Sequence, residues 1–173
     1  MTVWRRSADI AMGEFGISPF VATPDILDSP ALGWLAGLLA RKAGRLPARD
    51  DISPRRIGPA ALPYVLLLRV EGDPARFLVR LVGTELVRIS GIDNTGRYFD
   101  QLGPQHGAAG PYYLQLLEHV RADRRPVVLT ANLFYRQQEW RRFQVLVAPV
   151  AGTDDRIDQI ACAIDLPPVA TAQ

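Results

Sequence analysis

The side chains that could do chemistry in this chain are few and scattered. There are two histidines, His106 and His119, and one cysteine, Cys162. Acid–base or nucleophilic catalysis needs a base placed beside a nucleophile or a second acid, and neither histidine lies in a string that supplies one. His119 falls on a helical stretch, about 110° around the wheel from its apolar stripe at roughly 100° per residue, which makes it a surface or boundary residue. Cys162 sits in an alternating apolar run and reads as a buried, inert thiol rather than a redox sensor. A single cysteine excludes an intramolecular disulfide framework and any multi-cysteine metal site, and points to a reducing compartment. Tyr98, Asp100 and His106 at a pocket mouth are the basis of an alternative, enzymatic reading, although none has a clear partner.

The densest polar constellation is Asp93, Thr95, Gly96 and Arg97 in the stretch Gly91 to Arg97. Asp and Thr in a glycine-bounded turn commonly bond their own backbone, so they read as structural, with Arg97 clamping the turn. Gly83 and Thr84 read the same way, Gly83 ending a strand and Thr84 capping a brief helix over Glu85 to Ser90. Arg121, Arg124 and Arg125 suit the negative pole of a helix end. Arg136, Arg141 and Arg142 flank Trp140 at a predicted hairpin tip, and arginine with tryptophan is a common interface composition.

These residues have to be positioned by elements, and the elements are legible. Residues 1–27 hold no sustained period and no continuous apolar run, so they read as an arm, neither signal peptide nor membrane span. Asp28-Ser29-Pro30 opens a helix in which Leu32, Leu35, Leu38 and Leu39 recur at helical spacing up to Gly44. A proline-rich connector follows, with one helical turn at Ser53-Pro54. From Tyr64 the period becomes that of strands: Val65 to Val70 and Phe77 to Val82, joined by Gly72-Asp73-Pro74, predict a hairpin. Small helices near 85–90 and 98–102 precede a longer helix from Pro111, whose Tyr113, Leu116, Leu117 and Val120 form one stripe until Pro126 ends it. Three strands, Val127 to Tyr135, Arg142 to Val150 and Ile157 to Leu166, close the chain as an antiparallel meander. In these last two runs Phe143, Val145 and Val147, then Ile160, Cys162, Ile164 and Leu166, share a face. The expected fold is therefore α+β: a five-stranded antiparallel sheet with helices on one face, plus an N-terminal helix. The expected division is an arm over 1–27, a helix and connector over 28–62, a domain over 63–167 and a tail over 168–173.

Composition narrows the function class. The 173 residues are 48% hydrophobic and 22% charged, the balance of a globular domain rather than a disordered chain. The net charge of only +2 argues against nucleic acid as the partner, and no membrane anchor is expected, which places the protein in the cytoplasm. The first helix carries Leu32, Trp34, Leu35 and Leu38, more apolar surface than one narrow stripe. A homodimer through it is expected, with Trp140 and Arg142 as a second candidate interface.

The element order resembles the PAS fold. The strings Leu46-Pro47-Ala48-Arg49-Asp50-Asp51-Ile52-Ser53-Pro54, Leu62-Pro63, Arg80-Leu81-Val82-Gly83-Thr84 and Gly91-Ile92-Asp93-Asn94-Thr95-Gly96-Arg97 are similar to those of a bacterial family of stand-alone PAS-domain proteins, over about residues 29–166. Asn94 departs from the apolar residue usual before Thr-Gly-Arg, and Arg69 stands where relatives often carry an acid. The resemblance implies a non-enzymatic sensory or docking module that holds a small molecule between sheet and helices and signals through an unidentified partner protein. On that reading the candidate pocket comprises Phe77, Val79, Leu81, Tyr113, Leu117, Phe143, Val145 and Cys162, with no metal and no fixed cofactor. A haem or flavin sensor is the further alternative, with His119 on the helix where some haem-binding PAS domains place their ligand. A flavin adduct would lack its usual cysteine-bearing helix.

Overall fold

The computed structural model describes residues 28–102, 110–132 and 142–166. The first helix, α1 (Pro30–Lys42), starts where Ser29 Oγ accepts the backbone N–H of Leu32 at 3.3 Å, with proline at the first helical position. It ends at Ala43 and Gly44, both in the left-handed region (φ 51° and 88°). The connector forms a 3-10 turn at Arg49–Ile52, a single helical turn α2 (Pro54–Ile57) and a second 3-10 turn at Leu62–Tyr64.

The sheet consists of β1 (Val65–Glu71), β2 (Arg76–Val82), β3 (Val127–Asn132), β4 (Arg142–Ala151) and β5 (Ile157–Asp165), in the order β2-β1-β5-β4-β3, with every neighbouring pair antiparallel. Between β2 and β3 the chain forms α3 (Thr84–Ser90), a 3-10 turn at Phe99–Leu102 and the long helix α4 (Gly110–Asp123). The expected α+β architecture and hairpin are present. The expected tip around Trp140 lies outside the described residues, as do His106 and residues 1–27.

Side chains alternate across each strand, so the sheet feeds two separate apolar layers. One contains Leu68, Phe77, Val79, Phe143, Val145, Val147, Ile160 and Cys162, packed with Leu116, Leu117 and Val120 of α4. The other contains Val65, Leu67, Val128, Leu146, Ala148, Val150, Ala161 and Ala163, packed with Leu32, Leu35, Leu38 and Leu39 of α1. The N-terminal helix thus covers the face opposite α4. Ala148, Ala161 and Ala163 are the reason it packs so closely: an alanine floor lets a helix approach until its leucines meet the strands. Leu32, Leu35 and Leu38, expected to offer surface to a second copy, are consequently 0%, 0% and 6% exposed against the chain's own sheet. Of the expected α1 interface, Trp34 is the residue left half-buried.

Candidate functional site

The layer beneath α4 does not close completely. A cavity of about 200 Å³ lies between the sheet and the helices, lined from below by β1, β2, β4 and β5 and from above by α3, α4 and the segment 92–102. Of the expected pocket residues, Val79, Tyr113, Leu117, Phe143, Val145 and Cys162 line it. Phe77 belongs to the same apolar layer but lies outside the cavity wall.

Leu81 does not belong to this site, and the reason is a β-bulge. Leu68 pairs with Val79 but Leu67 pairs with Leu81, so Arg80 is an extra residue in β2. Strict alternation from Phe77 and Val79 would turn Leu81 inward. The inserted residue shifts the phase by one, so Val82, opposite Leu66, faces the cavity while Leu81 packs into the α1 layer.

The roof is built differently from the floor. None of the seven residues of α3 is buried, yet Leu86 and Ile89 line the cavity, together with Ile92, which is 36% exposed. This roof is held at its two ends. At the N-terminal end Gly83, not Thr84, is the cap residue, and Thr84 is the first residue of the helix. The Gly83 N–H donates to the Val65 carbonyl at 2.8 Å. A Cβ on Gly83 would run into the Pro63 carbonyl and come within 2.6 Å of that of Leu62. Glycine is required by this close backbone approach, which moves the cap one residue earlier than expected. Two of the motif strings, Leu62-Pro63 and Arg80 to Thr84, are therefore two sides of one contact.

At the other end Ser90 Oγ donates to the Ile92 carbonyl (3.0 Å), and Gly91 takes the left-handed position (φ 74°). The turn that follows holds itself together: Asp93 Oδ1 accepts both the Thr95 N–H (2.9 Å) and its hydroxyl (2.6 Å). These bonds keep the Asp93 carboxyl below the usual carboxylate range. Gly96, at φ +85°, donates to the Val79 carbonyl (2.8 Å), and Arg97 accepts from the Val79 N–H (2.9 Å). Arg97 also donates to Asn94 Oδ1 (3.3 Å) and to the Gln101 carbonyl (3.5 Å). Asp93, Thr95, Gly96 and Arg97 are thus structural, fastening the turn to the outer edge of β2, while Asn94 reaches the cavity wall.

Two residues of the enzymatic alternative, Tyr98 and Asp100, are tied up elsewhere, while His106 lies outside the described residues. Tyr98 Oη donates to Glu71 Oε2 (2.7 Å), and that bond lowers the glutamate's pKa and raises the phenol's. The Arg76 guanidinium lies 3.8 Å from the Tyr98 ring centroid and forks onto both oxygens of Asp100 at 2.8 Å, holding that carboxyl low. Arg69 also pairs with Glu71. This network sits on the surface, and neither Tyr98 nor Asp100 lines the cavity.

No histidine lines the cavity among the described residues, and His119 lies off the wall. Burial pushes the Cys162 thiol up to about 12, so it stays protonated and unreactive. Sites for drug-sized ligands run roughly 300–1,000 Å³, larger than this one. Among the described residues no cluster of histidine, cysteine, aspartate or glutamate could hold a metal ion, and no helix is long and apolar enough to cross a membrane.

The lining residues that sequence pattern missed are those of the roof, Leu86, Ile89, Ser90, Ile92, Asn94, Phe99 and Leu102, the floor residues Leu66 and Val82, and the continuations Leu116, Val147, Ile164 and Leu166 of stripes already recognised. The continuations were available from periodicity. The roof residues belong to segments too short for any period to declare a face.

Comparison with known proteins gives a family and a set of distant folds. A family model described as a PAS domain matches residues 36–164. Solved structures similar to the chain include a fungal LOV domain photoreceptor, with 14% identity, a TM-score of 0.47, and coverage of 77% of this chain and 91% of that one. A sensory box sensor histidine kinase from Vibrio cholerae has 12% identity and a TM-score of 0.46, covering 78% and 94%. The PAS domain of the histidine kinase ThkA has 16% identity and a TM-score of 0.42, covering 58% and 98%. No curated protein matches the chain.

Proposed function

Because the chain belongs to the PAS-domain family, we propose that it is a non-enzymatic sensory module that registers a small molecule and passes the result to a partner protein in bacterial signalling. A signalling sensor role goes with the family; the molecule, the partner and the absence of catalysis are our reading. The observation that carries it is the cavity of about 200 Å³ between the sheet and a roof with no buried residue of its own in α3. A roof fastened at its two ends, with no fully buried residue between them, is placed to respond to what lies beneath. The pairing of Tyr98 with Glu71 and of Asp100 with Arg76 supports the non-catalytic part, since both side chains are committed to their neighbours.

Native mass spectrometry of the purified protein, followed by a thermal-shift screen of small apolar compounds, tests the sensing half. Retained mass or stabilisation is expected, and both should vanish in Leu117→Trp, whose indole fills the cavity. A chain that holds nothing and is stabilised by nothing would overturn it. Docking is assigned to the neighbourhood of Trp140 and Arg142, within a domain taken as residues 63–167 with the helix and connector of 28–62 packed upon it. Pairing of two copies through α1 would centre on Trp34. Light scattering that gives a monomer at high concentration removes that pairing.

A further inference from the structure

The wall of the cavity defines the kind of molecule it accepts, an inference that rests on the sensing role just proposed. Among the described residues no Asp, Glu, Lys, Arg or His side chain lines it. The titratable groups among the described lining residues are Tyr113 and Cys162, both pushed up to about 12 by burial and so neutral at physiological pH. The polar groups present are few and engaged: Ser90 Oγ bonds the Ile92 backbone, and Asn94 Oδ1 accepts from Arg97. The other described residues around the void are aliphatic or aromatic.

An ionised group moved into such surroundings loses its water and gains no counter-charge, a penalty far larger than that for a neutral polar group. Size sets the other bound. A dry cavity of about 150 Å³ lined by aliphatic and aromatic side chains holds a benzene ring, so about 200 Å³ accommodates a single small ring system with little attached to it. We propose that the cavity selects neutral, largely apolar molecules of that size and rejects their carboxylate and ammonium counterparts.

Two pairs of probes test this, each pair sharing one skeleton: indole against indole-3-acetate, and benzyl alcohol against benzylammonium. Binding to the full chain is followed by calorimetry at neutral pH, with Leu117→Trp and, should that variant not fold, Val145→Phe as cavity-filled controls checked by circular dichroism. The neutral member of each pair is expected to bind, with the charged member about 100-fold weaker or more. Neutral binding should be lost in the filled variant. Equal or tighter binding of either charged member overturns the selectivity while leaving the sensing role standing. Failure of all four probes to bind overturns both. Indole binding that survives in a folded, cavity-filled variant places the ligand elsewhere and overturns the proposal as well.

Discussion

The two faces of the sheet are made by alternate residues of the same strands, yet one is packed and the other keeps a void. On the α1 side the strands present Ala148, Ala161 and Ala163, all fully buried, and the helix descends onto them. On the other side they present Phe143, Val145, Val147, Ile160 and Cys162, larger residues that nevertheless leave about 200 Å³ unfilled. Larger strand side chains therefore do not by themselves fill a face; the small alanines let one continuous helix come down onto the strands. A continuous thirteen-residue helix settles on an alanine floor, whereas the opposite face is shared between the fourteen-residue α4 and the seven-residue α3, none of whose residues is fully buried.

That contrast can be broken by substitution. The largest effect is expected from Leu35→Ala in α1, a loss of about 2–5 kcal/mol in urea denaturation. Leu117→Ala, whose side chain already borders a void and loses fewer contacts, should fall at the low end of the same range. The reverse order would mean that the cavity face carries the stability. Next comes overpacking: Ala161→Leu should cost about 1–3 kcal/mol because nothing beneath α1 can yield, whereas Val145→Leu adds one methylene to empty space and should be neutral or stabilise by up to about 0.8 kcal/mol. Equal penalties for the two would remove the distinction between the faces.

Gly83→Ala tests the attachment of the roof. Its Cβ meets backbone rather than a flexible side chain, so a loss of about 1–3 kcal/mol is expected, together with faster amide exchange in α3 than in α1. Unchanged exchange in α3 would show that the roof is held by something other than this contact. The smallest effect concerns Asp51, which anchors the connector to α1. Burial alone would raise its pKa, but the hydrogen bonds from Lys42 and from the Ala48 N–H (2.8 Å) outweigh this and hold it below 3.8. A depressed folded-state pKa means that the stabilisation is present above the unfolded value and is lost as pH falls through the folded one. Asp51→Asn should therefore cost about 1 kcal/mol or less at pH 7 and nothing near pH 2. A penalty that persists at pH 2 would show that the charge is not its source.

Most of the architecture was legible because periods of 2 and 3.6 are written in long runs: Tyr113 to Val120 declares α4, and Ile160 to Leu166 declares a half-sheet face. The pocket floor followed from those runs, which is why Val145 and Cys162 fall where expected. Three features were not legible. Leu81 was misplaced because a bulge leaves no mark in residue type. Gly83 looked like a strand breaker because its collision partner, Pro63, is distant in sequence. The destination of α1 was open because its leucines suit a second copy as well as the sheet, and only the alanines at 148, 161 and 163, spread over two strands, decide between them.

The extra residue at Arg80 gives β2 two reading frames. Odd-numbered positions look inward up to Val79, and the even-numbered Val82 does so after it. Deleting Arg80 would remove the bulge and restore strict alternation, with Leu81 still in the α1 layer and Val82 still toward the cavity. Any alignment of a distant relative to this strand by hydrophobic pattern alone must therefore allow a one-residue gap at this point, or it will assign the wrong half of the strand to the cavity.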